Sequence, residues 1–248
     1  MATPMVYLVT GANRGIGLEI TTLLLQRPST TVIATVREDT IERTASLSAL
    51  PAAKDSIVII LTHNLFDSPG SLMTTIKYFD IWHIDVVIAN AGNSCAFKSV
   101  LETNPQELRD DFDTNCVAVL RLFQHCWPMM QAAPRQNRKF VLISSTMGSI
   151  DNLEVENLPG LAYGASKAAA NWLAKKISVE LKPHVDVGIF HPGWVQTGMG
   201  QLLADAIGLD KPPMTAQESA PYVVRLIDNL GPENSGQFLM YNGERVPW

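Results

Sequence analysis

Long hydrophobic runs are scarce in this 248-residue sequence. The longest apolar stretches, Ser56–Leu61 among them, have the length of a strand. They fall far short of the ~20 residues that a membrane-spanning helix needs. No run of lysine and arginine interrupts a net charge of −5, so the electrostatic footprint of a nucleic-acid binder or a membrane-surface protein is missing. Cysteine is rare as well. Cys95, Cys116 and Cys126 make an odd count with no CxxC or Cys/His spacing, which speaks against a disulfide framework or a metal site. Cys116 and Cys126 fall in an apolar helical stretch and read as small buried hydrophobes, whereas Cys95, just past a loop, could face a pocket. The first residues, Met1 to Pro4, show no basic region followed by a long apolar segment, and the expected location is the cytoplasm.

What is present is a composition of 46% hydrophobic and 17% charged residues, enough to bury a large core. Short β-rich runs alternate with longer helical ones. Strands are expected at Met5–Thr10, Thr31–Val36, Ser56–Leu61, Ile84–Ala89, Lys139–Ser144 and Val185–Phe190, with a late one at Gln237–Tyr241. Most are continuously apolar, as suits a parallel sheet covered on both faces. Helices are expected at Ile16–Gln26, Ser68–Phe79, Gln106–Met130, Ala165–Leu181 and Ala216–Leu230. Asn104-Pro105 followed by Glu107, and Thr215 followed by Glu218, have capping-box spacing. Pro183 ends the helix before it. No linker or repeat breaks the alternation. The expectation is one domain, residues 1–248, with a Rossmann-type doubly wound α/β fold: a mainly parallel, seven-stranded sheet with helices on both faces.

Thr10-Gly11-Ala12-Asn13-Arg14-Gly15-Ile16-Gly17 joins the first strand to the first helix. Glycines there permit a tight turn and close approach to a pyrophosphate, and the helix N-terminus offers free N–H groups to the anion. The second strand ends at Val36, where an acidic residue would favour the ribose hydroxyls of NAD; Arg37 follows, and Arg14 lies in the turn. Two guanidinium groups suit a 2′-phosphate, so NADP(H) is the expected cofactor. Glu38 and Asp39 lie within reach of the same ribose and argue the other way. Tyr163-Gly164-Ala165-Ser166-Lys167 sets a phenol and an ammonium on one helix face. A nearby cation favours phenolate, which would lower the tyrosine pKa towards use as an acid/base.

The Gly-x3-Gly-x-Gly spacing of Gly11, Gly15 and Gly17, the Asn90-Ala91-Gly92 triplet and the YGASK box together resemble the short-chain dehydrogenase/reductase family, in particular its carbonyl reductase and ketoreductase members. The resemblance implies a catalytic set of Tyr163, Lys167, Ser145 and Asn115. Ser144 is the fallback serine. Asn115, expected mid-helix, would hold a water that relays protons to the lysine. The same resemblance implies cofactor contacts from Gly11, Asn13, Arg14, Gly15, Ile16, Gly17 and Arg37. It adds Asn90, Ala91 and Gly92 beside the adenosine ribose, then Tyr163 and Lys167, and Pro192, Gly193, Val195 and Thr197 after the sixth strand. Asn64 and Leu65 stand where the family usually has an Asp and an apolar residue against the adenine, which leaves that contact altered. His191 reads as structural.

Residues 194–214 are where such proteins carry a substrate-covering loop; Met199, Leu202, Leu203 and Ile207 give it an apolar face that would cover substrate or pack on the domain. The stretch Ile150–Leu161, about five residues longer than the family commonly shows, is expected to line the site with Leu153, Val155 and Leu158. Together these imply NADPH-dependent reduction of a carbonyl on a medium-to-large apolar substrate, a small-molecule ketone, aldehyde or quinone. Neither nucleic acid nor membrane is an expected partner, and the long helices resemble those through which the family forms homo-oligomers. The competing readings are non-redox chemistry on the same fold (dehydration, epimerisation or cyclisation) and a cofactor-binding sensor.

Overall fold

Side chains alternate across a strand, so a strand that is apolar at every position must bury both faces. Seven strands, most of them apolar along nearly their whole length, form the sheet: β1 (Met5–Thr10), β2 (Thr30–Val36), β3 (Ile57–Thr62), β4 (Val86–Ala89), β5 (Lys139–Ile143), β6 (Asp186–His191) and β7 (Phe238–Met240). The computed structural model describes residues 4–37, 41–63 and 69–248. The strand order is β3-β2-β1-β4-β5-β6-β7, and every neighbouring pair is parallel. Parallel pairing extends to the late strand β7, so the sheet is wholly rather than mainly parallel.

The two faces carry two cores. On one, Leu8, Ile33, Val87, Phe140 and Leu142 pack against helices α3 (Pro69–Tyr78), α5 (Ala118–Ala132) and α6 (Leu161–Glu180). On the other, Val9, Val32, Ile88, Val141 and Phe190 meet α1 (Gly15–Leu25) and α8 (Ala216–Asp228). The neighbours Leu8 and Val9, or Leu142 and Val141, fall on opposite sides, as the two-residue period requires. Ala170 and Ala174, both fully buried, let α6 lie close on the sheet. The strand order reverses between β1 and β4, which opens a crevice at their carboxyl ends.

Both capping boxes form. Asn104 and Glu107 close the start of α4 (Pro105–Phe112), and Thr215 and Glu218 close that of α8. Four elements depart from the sequence expectation. The single helix expected at Gln106–Met130 is divided by a π-turn, Asp113–Val117, between α4 and α5. α6 begins at Leu161, four residues before the expected start, so Tyr163 is itself helical. The expected covering loop contains a helix, α7 (Gly198–Ala206), whose N-cap Thr197 accepts from the Gly200 N–H. A short helix, α2 (Ile41–Ser48), was not anticipated.

Candidate active site

At the crevice the two ends of the expected site come together. The glycine turn leaves β1 with Gly11 at φ +64° and Gly15 at φ +53°, conformations that cost glycine little. Gly17 faces the Gly11 carbonyl oxygen and the Asn90 amide nitrogen, and a Cβ there would press into both. Asn90 clamps the turn, donating from Nδ2 to the carbonyls of Thr10 (2.9 Å) and Gly11 (3.2 Å). The Thr10 hydroxyl accepts from the backbone N–H groups of Asn90 (3.1 Å) and Ala91 (3.0 Å). The two motifs thus form one unit across the β1–β4 join.

Arg14 at the N-cap of α1 makes no capping bond, and the first turn of α1 holds no acidic side chain. The helix therefore presents N–H groups and a positive dipole end to an anion. Arg14 and Arg37 are both exposed at this edge, and among the described residues neither is held in an ion pair. Val36 before Arg37 is buried. From the other half of the sheet, Thr197 lies over Gly15, its methyl 3.0 Å from where a Cβ would stand. Pro192 is anchored through its carbonyl by the Ser219 hydroxyl at 2.6 Å, Gly193 takes φ +91°, and Val195 is buried. Asn64 and Leu65, and with them Glu38 and Asp39, lie outside the described residues.

Tyr163, Lys167, Ser145 and Asn115 converge where β5 meets α6, and all four are buried. Ser145 follows β5 by two residues; its hydroxyl accepts from the Met147 N–H at 3.3 Å and lies close enough to the Tyr163 phenol to act on its pKa. Ser144 points elsewhere, donating to Asn171 Oδ1, while Asn171 Nδ2 donates to the Gly148 carbonyl at 3.2 Å. That pair fixes the short 3₁₀ turn after Ser145. His191 serves the same turn: its Nδ1 accepts from the Thr146 N–H at 3.2 Å, and burial brings its pKa down to about 4. A neutral imidazole accepting at Nδ1 carries its proton on Nε2.

Lys167 donates from Nζ to the Ile143 carbonyl at 2.9 Å, at the carboxyl end of β5. Burial lowers its pKa to about 8, opposed by the charge of Asp111. Tyr163 differs from expectation. Its pKa is raised, because burial outweighs the lowering influence of Ser145. The phenol sits in an apolar cluster with Phe97 and Leu203, and the lysine, though its Nζ lies 5.6 Å from the ring centroid, is bonded to the strand.

Asn115 occupies the π-turn. Its Oδ1 accepts from the Asn93 N–H (2.8 Å), and its Nδ2 donates to the Asn93 carbonyl (2.7 Å) and to Ser166 Oγ (2.9 Å). π-Turns are rare and recur at functional sites. Gly92 leaves the space between: a Cβ there would lie 3.2 Å from Asn115 Oδ1 and 3.5 Å from Lys167 Nζ.

Phe97 meets the Tyr163 ring edge-on at 5.6 Å. Met147, Leu158, Trp194, Met199 and Ile207 complete the surround. Of the apolar residues on α7, Leu203 is buried against this cluster while Leu202 is exposed. The segment is pinned rather than loose: Trp194 Nε1 donates to the Gly200 carbonyl at 3.1 Å, and Gln196 N–H to that of Met214 at 2.7 Å. The 150–161 stretch contributes less than expected. Leu153 and Val155 are exposed, because its 3₁₀ turn (Asp151–Glu154) is tied to the C-terminus by the Asp151 N–H to the Trp248 carbonyl, and only Leu158 reaches the cluster. Phe97, Trp194, Asn93 and Asp111 were missed in the sequence. Asp111 and Asn115 share one helix face by spacing, the one signal available for it.

The model of the short chain dehydrogenases matches residues 5–207. The chain belongs to that family. It is 36% identical to a short-chain dehydrogenase, srdF, of Neurospora crassa, over 98% of this chain and 97% of that one. It is 37% identical to the norsolorinic acid ketoreductase nor1 of Dothistroma septosporum, over 98% of this chain and 92% of that one. Among solved structures, NADPH-bound carbonyl reductase from chicken fatty liver superposes with a TM-score of 0.85 at 28% identity, with both chains fully covered. The carbonyl reductase Sniffer of D. melanogaster gives 0.82 at 26%, again with full coverage. Among the described residues of this family member, no helix is long and apolar enough to cross a membrane.

Proposed function

We propose that this dehydrogenase reduces the carbonyl group of a medium-to-large apolar small molecule with NADPH, using Tyr163 as the proton donor. The observation that carries the reading is the burial together of Ser145, Tyr163 and Lys167, with the lysine one turn further along α6 and its Nζ 5.6 Å from the Tyr163 ring centroid. The names of the relatives, ketoreductase and carbonyl reductase, support the same direction of chemistry. In this reading residues 1–248 form one NADP-binding domain, with residues 194–214 as its substrate-covering segment.

The residues at the crevice fit NADPH. The uncapped start of α1 with Gly11, Asn13, Gly15, Ile16 and Gly17 would take the pyrophosphate. Arg14 and Arg37 would flank the 2′-phosphate. Asn90, Ala91 and Gly92 would border the adenosine ribose, Asn64 and Leu65 the adenine, and Lys167 the nicotinamide ribose. Pro192, Gly193, Val195 and Thr197 would hold the carboxamide end. When bound, NADPH supplies a hydride to the carbonyl carbon. Ser145 and Tyr163 polarise the carbonyl by hydrogen bonding to its oxygen as charge develops there. Tyr163 then gives that oxygen its proton, and Lys167 returns one to the phenol through water that Asn115 would hold. A raised phenol pKa is consistent with a donor that stays protonated until charge appears beside it.

Phe97, Trp194, Met147 and Met199 around the phenol favour an aromatic or polyketide-like ketone over a small polar one. Phe112, Leu120 and Trp172, exposed on α4, α5 and α6, support self-association, which sedimentation equilibrium reads directly. A cytoplasmic location belongs to the same reading. The test is NADPH oxidation, followed by absorbance, across a panel of aromatic ketones, quinones and aldehydes. Consumption with at least one is expected. Tight NADPH binding with no consumption throughout would favour a sensor or non-redox role instead.

A further inference from the structure

Asp111 is fully buried on α4, beside the site rather than in it. Its Oδ1 accepts from the Cys95 N–H at 2.9 Å and from Asn93 Nδ2 at 3.4 Å. Its Oδ2 has no hydrogen-bond partner among the described residues. A buried carboxylate oxygen left without a partner is costly, so its presence here calls for a specific role. The Asn93 that it holds is the residue whose N–H and carbonyl both bond the Asn115 amide, and Asn115 in turn bonds Ser166 Oγ, which donates to the Tyr163 carbonyl at 2.7 Å. A continuous polar chain therefore runs from Asp111 to the helix turn that carries Tyr163.

We propose that Asp111 is a positioning residue for the reaction: its carboxylate anchors Asn93 against the Asn115 amide, in the same buried space around Gly92 that holds Lys167 Nζ, and so keeps a negative charge on the lysine's side of the site. The assignment of a role in turnover rests on the reductase reading above; the anchoring does not.

The surroundings of Asp111 allow the effect to be isolated. On its own helix, Glu107 is already paired with Lys98 at 2.6 Å, and Asp110 is exposed. From the loop after β4, Cys95 presents a thiol whose pKa stands at about 11, raised by burial and then by Asp111 itself. From α6 come Tyr163 and Lys167, and Asp111 is the charged group that raises both. Removing it must therefore lower both, whereas removing Asp110, one residue away and solvated, must not.

The experiment is a pH titration of protein labelled with [ε-¹³C]lysine, read by NMR, with the Lys167 resonance assigned by its loss in Lys167→Gln. Asp111→Asn keeps the acceptor oxygen and deletes the charge; Asp111→Ser does so with less bulk and guards against a packing failure of the amide. The Lys167 midpoint is expected to fall by about one unit in both, the lower end of what an opposite charge nearby contributes. Asp110→Asn should leave it where it is in the unaltered protein. The alkaline limb of kcat/KM for ketone reduction should move down with the lysine. An unmoved Lys167 midpoint in Asp111→Asn, or an equal fall in Asp110→Asn, overturns the proposal whether or not the protein turns over. A shifted lysine in a protein that reduces no carbonyl sustains the placement of the Asp111 charge beside Lys167 and sinks the reductase reading alone.

Discussion

Lys167 is 4% exposed, its Nζ bonded to the strand carbonyl of Ile143 and 5.6 Å from the Tyr163 ring centroid. Burial holds its pKa at about 8, below the 10.5 of a solvated lysine. The folded state therefore releases this proton earlier than the unfolded chain does. Between about pH 8 and 10.5 the unfolded state binds more protons, so stability rises with pH across that window. The shift corresponds to about 3 kcal/mol. Urea denaturation of the parent protein and of Lys167→Met should reveal it as a gap that moves in favour of lysine as the pH climbs through the window. A pH-independent gap would mean that Lys167 is not desolvated in solution. The neighbouring side chains show why residue-level reading of the sequence had limits. The Tyr163–Lys167 spacing was plain, but the direction of the tyrosine shift depended on Phe97 and Leu203 burying the phenol, and those lie far away in the chain.

The turns that join strands to helices do most of the positioning. β1 hands Gly11 to α1, β5 hands Ser145 to its 3₁₀ turn, and β6 hands Pro192 and Gly193 to α7. Gly17→Ala is expected to weaken NADPH binding at least tenfold, since its methyl would stand 2.5 Å from Asn90 Nδ2 and the glycine turn would have to open. Fluorescence titration with NADPH measures this; unchanged affinity would show that the turn does not hold the cofactor. At this scale the sequence was legible where the signal is local. Short β-rich runs, most of them continuously apolar, marked all seven strands, and side-chain caps marked α4 and α8. It was illegible where structure is set by contacts made later. The π-turn at Asp113–Val117 forms where Asn115 reaches Asn93 and Ser166, and helix periodicity alone does not show it. Asp111 stands in the run Asp110-Asp111-Phe112-Asp113, which reads as a solvated acidic face until the Asn93–Cys95 segment folds over it. α7 was expected as a loop because the family resemblance places a substrate-covering loop there, yet Gly200 packs tightly below Val195 and Pro212.

Over the whole molecule, the two cores of the sheet leave the crevice at its carboxyl edge as the place where both halves meet. A ligand bound there ties β1 to β6 and stabilises only the folded chain. NADPH at a hundredfold excess over its Kd should add about 2.7 kcal/mol, or a rise in Tm of roughly 5–10 °C for a chain of this size. NADH at the same concentration should raise it less, because it lacks the phosphate that Arg14 and Arg37 would meet; equal shifts would remove the argument for NADPH. The claim on which the rest depends is that Tyr163 delivers the proton. It is tested most directly by Tyr163→Phe, with NADPH affinity and ketone reduction measured on the same preparation. The account predicts affinity within a few-fold of the parent protein and a fall in kcat of about 10²–10⁴-fold. Turnover at the parent rate with NADPH bound would contradict it.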